Sequence, residues 1–478
     1  MTEPLLLGID VGTTCAKVGV FQLDGRPAAM RVAPYSYAKT SDGNVAEQDA
    51  CEWWSQVQNA LRATLAQIDV NALRGVCVGG QGPTLVAVDE SLTPVAPALT
   101  WMDQRAIGQV RLLSERLERN VPSHSFLAKA MWLNTSRPEV YANTRWFCQA
   151  WDYVASQLVG EAVVSTAPGI APWDDELLAA SELDAKKFPT VQQLGQILGY
   201  VTAEAAEITG LPKNLPVVGG ISDYFGGILG SGAVTRGVAC DNGGTSSSFN
   251  VCWDNELQVQ GIFCMPSFET GYWYIGGPAS TTGRALDWWR REILDADDWT
   301  IVNAAANVSP GSERLIFLPY LAGERAPLWD AEARGVMFGL SLHHSRAHLT
   351  RAILEGVAYA LRHIMEQIER AGATIQEIHC CGGQAASELW CQIKADVTGR
   401  RVIVPEVIEA PVLGSAIIAG VGVGVLNSFR EGACQMMRVR RVIEPDMANH
   451  ERYQEFYALF RELYTAVQPL YPRLHKTA

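Results

Sequence analysis

The chain of 478 residues has neither a long apolar run nor a surplus of positive charge. Its longest apolar-looking stretch, Ile417 to Leu426, is broken by glycines and too short to span a bilayer, so no membrane partner is expected. The formal net charge is -13. An acidic surface argues against nucleic-acid binding, which needs basic patches to displace counterions. A small phosphate ligand stays open, because local amides, lysines or a metal override net charge. The eleven cysteines are odd in number and irregularly placed, and no pair has the two-residue spacing of a zinc or redox site. Thiols in a reducing cytoplasm are the expectation. The N-terminus has no basic region followed by an apolar stretch, so no secretory signal is read there. A cytoplasmic protein is expected. The commonness of dimers makes a homodimer the expected assembly.

Two phosphate motifs are also missing. No Gly-Lys-Ser/Thr enters a helix as a P-loop requires, and no strand is followed by the three spaced glycines of a dinucleotide site. What stands near the N-terminus is GIDVGTTCAK, Gly8 to Lys17. Strand-like runs at Leu5 to Asp10 and Ala16 to Gln22 flank it, and Asp24-Gly25 marks a turn to a third run, Ala28 to Tyr35. A Gly-Thr-Thr hairpin tip aims amides and hydroxyls at phosphate oxygens, but it is also an ordinary polar turn. Asp10 would repel a bare phosphate, and makes sense if a divalent cation lies between them.

Asp49 reads as a helix N-cap, followed by Trp53, Trp54, Val57, Leu61 and Leu65 at helical spacing. Leu73 to Val78 and Leu85 to Val88 return to strand, and Met102 to about Leu158 is mostly helical in pattern. A second strand-and-glycine stretch, Gly237 to Trp253, carries Asp241-Asn242-Gly243-Gly244-Thr245-Ser246, which parallels Ile9 to Thr14. Later segments alternate: strand Leu315 to Tyr320, helix His348 to about Ala371, strand Glu377 to Cys381, helix Ser387 to Val397, strand Val402 to Pro405, and a Gly/Ala-rich helix Pro411 to about Val425. The length suggests two or three domains, and the repeated hairpin suggests two of related topology.

Asp223, in GISDYFGG, follows a buried-looking strand and precedes a helix start. It reads either as an N-cap or as a base at a strand's C-terminal end, where open α/β sheets place ligands. Trp101, Asp103 and Arg105 offer an aromatic face, a carboxylate and a guanidinium. That set suits a polyol, or equally a helix start with surface ion pairs.

Together these segments resemble the FGGY carbohydrate kinases of the actin/hexokinase superfamily, most of all the branch of xylulose kinase-like members. The clearest match is GVMFGLSLHHSRAHLTRAILE, Gly335 to Glu355, with GERAPLWD, GGISDYFGGILGSG, NGGTSSS, CCGGQAASELWCQIKADVTG and APVLGSAIIAGVGVG in support. The resemblance runs from about residue 5 to about 425. It implies an α/β fold of two actin-like (ribonuclease H-like) domains, 1–234 and 235–478, with a catalytic cleft between them. It implies ATP and Mg²⁺ as cofactors and a small sugar or polyol as the partner that accepts phosphate. Gly12, Thr13, Thr14 and Lys17 then belong to one ATP phosphate loop, although Lys17 is equally a surface lysine on its strand. Gly243, Gly244, Thr245 and Ser246 belong to the second loop. Gly382, Gly383, Gln384 and Ser387 hold the adenosine. Gln81, Gly82, Trp101 and Asp103 contact the sugar, Asp223 is the base, and Asp10 and Asp223 face the metal. His348 and Glu355 are read as structural.

The expected reaction is ATP-dependent phosphorylation of a hydroxyl, with a ketopentose such as xylulose or ribulose as the acceptor. The rivals are another linear polyol or a signalling sugar, and an actin-like ATPase without a sugar substrate. One departure stands out. Xylulose kinases carry Met-His-Gly after the glutamine aligned with Gln81, and this chain has Gly82-Pro83-Thr84.

Overall fold

The computed structural model describes residues 3–36, 38–39, 44–167, 170–295 and 300–475. The chain divides into two compact units. Unit 1 is Met1–Gly230 with Pro411–Met436, and unit 2 is Ser231–Ala410 with Met437–Ala478.

Unit 1 is built on a six-stranded sheet of β1 (Leu5–Val11), β2 (Cys15–Gln22), β3 (Pro27–Pro34), β4 (Leu73–Gly80), β5 (Ile197–Tyr200) and β6 (Pro216–Val218), in the order β5-β6-β4-β1-β2-β3. Every residue of β1 is buried, as in a central strand covered on both faces. β1, β2 and β3 form the antiparallel meander expected from the turn residues, and Gly25 takes the positive φ, +83°, that the second turn needs. The chain then crosses over through α1 (Ala50–Leu65) into β4, parallel to β1. Asp49 caps α1 by accepting from Cys51 N at 2.8 Å, and Trp53, Val57, Leu61 and Leu65 form its buried stripe. Between Met102 and Leu158 four helices occur, but Trp146–Cys148 is a strand paired with Val86–Val88.

Unit 2 repeats the plan. β7 (Val238–Gly243) and β8 (Ser247–Trp253) form the second hairpin, and β10 (Trp273–Ala279) adds antiparallel to β8, with β9 (Phe263–Pro266) at the edge. The long helix α4 (Arg346–Arg370) leads to β11 (Glu377–Cys381), parallel to β7, and α5 (Glu388–Thr398) leads to β12 (Arg401–Pro405), parallel to β11. An antiparallel β13 (Val439–Ile443) closes the order β9-β10-β8-β7-β11-β12-β13. Strand for strand, β3-β2-β1-β4-β6-β5 of unit 1 matches β10-β8-β7-β11-β12-β13 of unit 2. The short sequence repeat therefore marks a duplicated sheet.

The units are not two contiguous halves divided at 234/235. Unit 2 begins at Ser231, and Pro411–Met436 returns to unit 1. The cause is close packing of helix α6 (Ala410–Gly422) through glycines. A Cβ on Gly8 of β1 would lie 2.0 Å from the Val412 carbonyl, and one on Gly414 would lie 2.0 Å from the Gly226 carbonyl. Among the described residues no helix is long and apolar enough to cross a membrane.

Candidate active site

In unit 1 the first hairpin turns at Gly12 to Cys15, and each tip carbonyl is tied back by a protein donor. Gly12 O accepts from Gln81 Nε2 (3.3 Å) and from the Tyr35 hydroxyl. Thr13 O accepts from Gln48 Nε2 (2.7 Å), Thr14 O from Tyr35 N (3.1 Å) and Cys15 O from Gly12 N (3.1 Å). Among the described residues no acceptor pairs with the amides of Thr13 and Thr14. The tip therefore turns its negative ends inward and leaves its positive ends for an anion.

The second hairpin, in unit 2, does the same with one residue fewer, Gly244 to Ser246. Gly244 O accepts from Gly283 N (3.2 Å) and Gln384 Nε2 (3.1 Å), Thr245 O from Arg284 N (3.0 Å) and Ser246 O from Gly244 N (2.9 Å). The amides of Thr245 and Ser246 likewise have no acceptor among the described residues.

Asp10 and Lys17 are cross-strand partners on β1 and β2, and Lys17 Nζ lies 3.5 Å from Asp10 Oδ2. The pairing places Lys17 beside the buried carboxylate rather than in open solvent. Asp223 is half-buried at the first turn of α3 (Asp223–Gly230). Burial pushes its carboxyl up to about 7, and the charge of Asp10 adds to the rise, while Lys17 and the Tyr224 amide oppose it. Burial and the same Asp10 also hold the Tyr35 hydroxyl well above its ordinary range. Asp10, Lys17 and Asp223 therefore share one electrostatic site.

The residues assigned to a sugar fall into two kinds. Gln81 is fully buried, donates to Gln48 Oε1 at 2.7 Å, and keeps Oε1 without a hydrogen-bond partner among the described residues. Gly82 packs under Trp151, where a Cβ would lie 2.7 Å from the indole ring. Trp101 Nε1 donates to Thr13 Oγ1 at 3.3 Å. Asp103 is buried and committed to protein donors. Its Oδ2 accepts from Ala46 N (2.9 Å) and Arg105 (2.7 Å), and Arg105 also pairs with Glu47 Oε1 (2.6 Å) above the Trp132 ring.

Gln384 is buried among protein partners. Its Oε1 accepts from Lys394 Nζ (2.9 Å), and its Nε2 donates to Thr282 Oγ1 (2.9 Å), Ser247 Oγ (3.2 Å) and the Gly244 carbonyl. Ser387 caps α5, and Gly382 needs its positive φ of +76° as well as its missing side chain, since a Cβ would lie 2.5 Å from Gly243 O. Gly383 is exposed beside them. His348 and Glu355 are structural. His348 Nδ1 accepts from Ser345 N at the start of α4, and Glu355 is buried against Arg351, Ser312 and Tyr453.

Sequence reasoning missed Tyr35, Gln48, Lys129 and Lys394. For the two lysines a signal existed, a single cation inside an apolar helical stretch such as Leu127-Ala128-Lys129-Ala130-Met131.

A duplicated α/β sheet whose two copies each open on an amide-presenting hairpin is the plan of an actin-like fold. Two family models agree. The N-terminal domain of the FGGY family of carbohydrate kinases matches residues 5–230, and its C-terminal domain matches residues 242–423. The chain is 30% identical over 456 residues to a gluconokinase of Bacillus subtilis, covering 89% of this chain and 88% of the relative. It is 27% identical over 487 residues to the xylulose kinase of Escherichia coli strain K12, covering 98% and 100%. A solved xylulose kinase from Rhodospirillum rubrum superposes with a TM-score of 0.82 at 27% identity, over 98% of this chain and 99% of the other. A gluconate kinase from Lactobacillus acidophilus shares the fold with a TM-score of 0.86 at 24% identity, over 98% and 99%. The chain belongs to the FGGY family of carbohydrate kinases and is a sugar phosphotransferase.

Proposed function

We propose that the chain transfers the γ-phosphate of ATP to a hydroxyl of a ketopentose such as xylulose or ribulose, with Asp223 taking the hydroxyl proton. The observation that carries this is the carboxyl of Asp223, raised to about 7 beside Asp10 and Lys17. A base is most effective when its pKa lies near the working pH, because it is then both available and strong. The deprotonated oxygen attacks in line, and the amides of Thr13 and Thr14 receive charge on the transferring group. Gly382, Gly383 and Ser387 frame the adenosine. Gln81, Gly82 and Trp101 orient the sugar, and Asp103 shapes the same wall through Arg105.

Asp10 and Asp223 supply the hard carboxylate oxygens that Mg²⁺ takes, and their mutual repulsion is the kind a divalent cation relieves. Bound there, the ion would neutralise charge on the phosphates.

A second reading, gluconate as acceptor, rests on the gluconokinase relative and on the Gly82-Pro83-Thr84 departure. A coupled ADP-release screen over ketopentoses, pentitols and gluconate, read as kcat/KM, decides between them. The ketopentose reading falls if gluconate or a pentitol exceeds every ketopentose by tenfold.

A further inference from the structure

The segment that departs from the xylulose-kinase pattern is anchored from below by a residue to which no role has been assigned. Gln81 N donates to Val11 O (2.8 Å), and Leu85 exchanges both backbone hydrogen bonds with Leu99 (2.9 Å). Between these two fixed points, Lys129 Nζ donates to the Pro83 carbonyl at 2.7 Å. Lys129 projects from α2 (Phe126–Ser136) and is 1% exposed. A buried ammonium is costly, and burial pulls this one down to about 7, with Asp103 acting to hold it up. The same lysine thus touches the Gln81–Thr84 segment and feels the charge of Asp103, the two stretches that the sugar reading joins.

Removing the cation would do more than open a cavity. Pro83 O would become a half-buried acceptor without its donor, and the segment would shift to recover one. Gly82 has no side chain to resist that shift, because the Trp151 ring fills the space above it.

We propose that Lys129 is a positioning residue for sugar binding, acting through the Pro83 carbonyl to fix the Gln81–Thr84 wall. This rests on the reading that Gln81 and Gly82 contact the sugar.

The test is Lys129→Met, a side chain of similar length without the donor. The sugar KM should rise about tenfold or more, the scale of one charged hydrogen bond, while the ATP KM stays within twofold. A purely structural lysine would lower the active fraction and Tm without separating the two KM values. An unchanged sugar KM, or an equal rise in both, would overturn the proposal. Should Lys129→Met fail to fold, Lys129→Leu, which also lacks a donor, is read on the same two outcomes. Gln81→Ala is measured beside it: an unchanged sugar KM in that variant overturns the underlying reading instead, so the two failures are distinguishable.

Discussion

Trp101 donates its indole N–H to the hydroxyl of Thr13 across 3.3 Å, so a residue of the proposed sugar wall touches the tip of a phosphate hairpin. With that acceptor position filled, the Thr13 hydroxyl is left to donate its own proton outward. Trp101→Phe keeps an aromatic face and loses the donor. The ATP KM should rise about threefold to tenfold alongside the sugar KM, as for one neutral hydrogen bond. Steady-state kinetics with each substrate varied checks this, and a change confined to the sugar would show that the contact is not used.

Asp223→Asn should lower kcat by about 10²–10⁴-fold while ATP still binds, measured by coupled assay and by calorimetry. Near-normal turnover would remove Asp223 from the role of base. In the wild type, activity should fall with acid as Asp223 takes up its proton, at a lower pH the more completely Mg²⁺ relieves the repulsion from Asp10. Stability should respond in the opposite sense. The folded carboxyl titrates near 7 and the unfolded one near the ordinary value of about 4, so ionisation costs the fold progressively between these values. Above pH 7 the cost reaches at most about 4 kcal/mol. The inactive Asn variant should therefore melt higher than wild type at pH 8 and about equally at pH 4.

Lys394 donates to Asp241 Oδ2 at 2.5 Å, and both side chains are buried. Burial works against the charge of Lys394, but Asp241 together with Cys380 and Cys391 outweighs it and holds the ammonium up. Lys394→Met should cost about 3–5 kcal/mol, since it leaves a buried carboxylate alone. Gln384 also loses the partner that orients it under Gly244. The surviving folded fraction should show a raised ATP KM and an unchanged sugar KM. Lys394→Met with Asp241→Leu should recover much of the Tm but not the ATP affinity.

In the native protein the thiols open to a bulky disulfide reagent should be Cys51 and Cys434, which are exposed, followed by the half-buried Cys15 and Cys264. The remaining seven should react only on unfolding. Cys15 sits in the first hairpin, so nucleotide should slow its modification while leaving Cys434 unaffected. Mass spectrometry of labelled peptides reads this directly.

What could be read from the sequence was mostly local. The Asp-Gly turn, the Asp49 cap and the Gly-Thr tips each act within a few residues, and each appears where the pattern placed it. The supports were not legible in the same way. Gln384 carries the right residue type for a ligand contact, but its amide is spent on Lys394, Thr282 and the hairpin, partners remote in sequence. Asp103 is likewise consumed by Arg105 and Ala46. The strand Trp273–Ala279 was hidden because Gly276, Gly277 and Pro278 are poor strand formers alone. Gly276 is required there by close backbone approach, as a Cβ would lie 1.9 Å from Phe249 O.

The glycine-mediated seat of Val412 and Ala416 against Gly8 also sets an order of events. The first strand of the chain waits for a helix made some four hundred residues later, so during synthesis unit 1 stands unfinished while all of β7 to β12 emerges. A fragment ending at Gly230 should leave that face of β1 bare, bind a hydrophobic dye and aggregate. Adding residues 411–436 in trans should quench both. Assembly of this protein is thus not sequential from end to end: its opening strand is sealed near the close of translation.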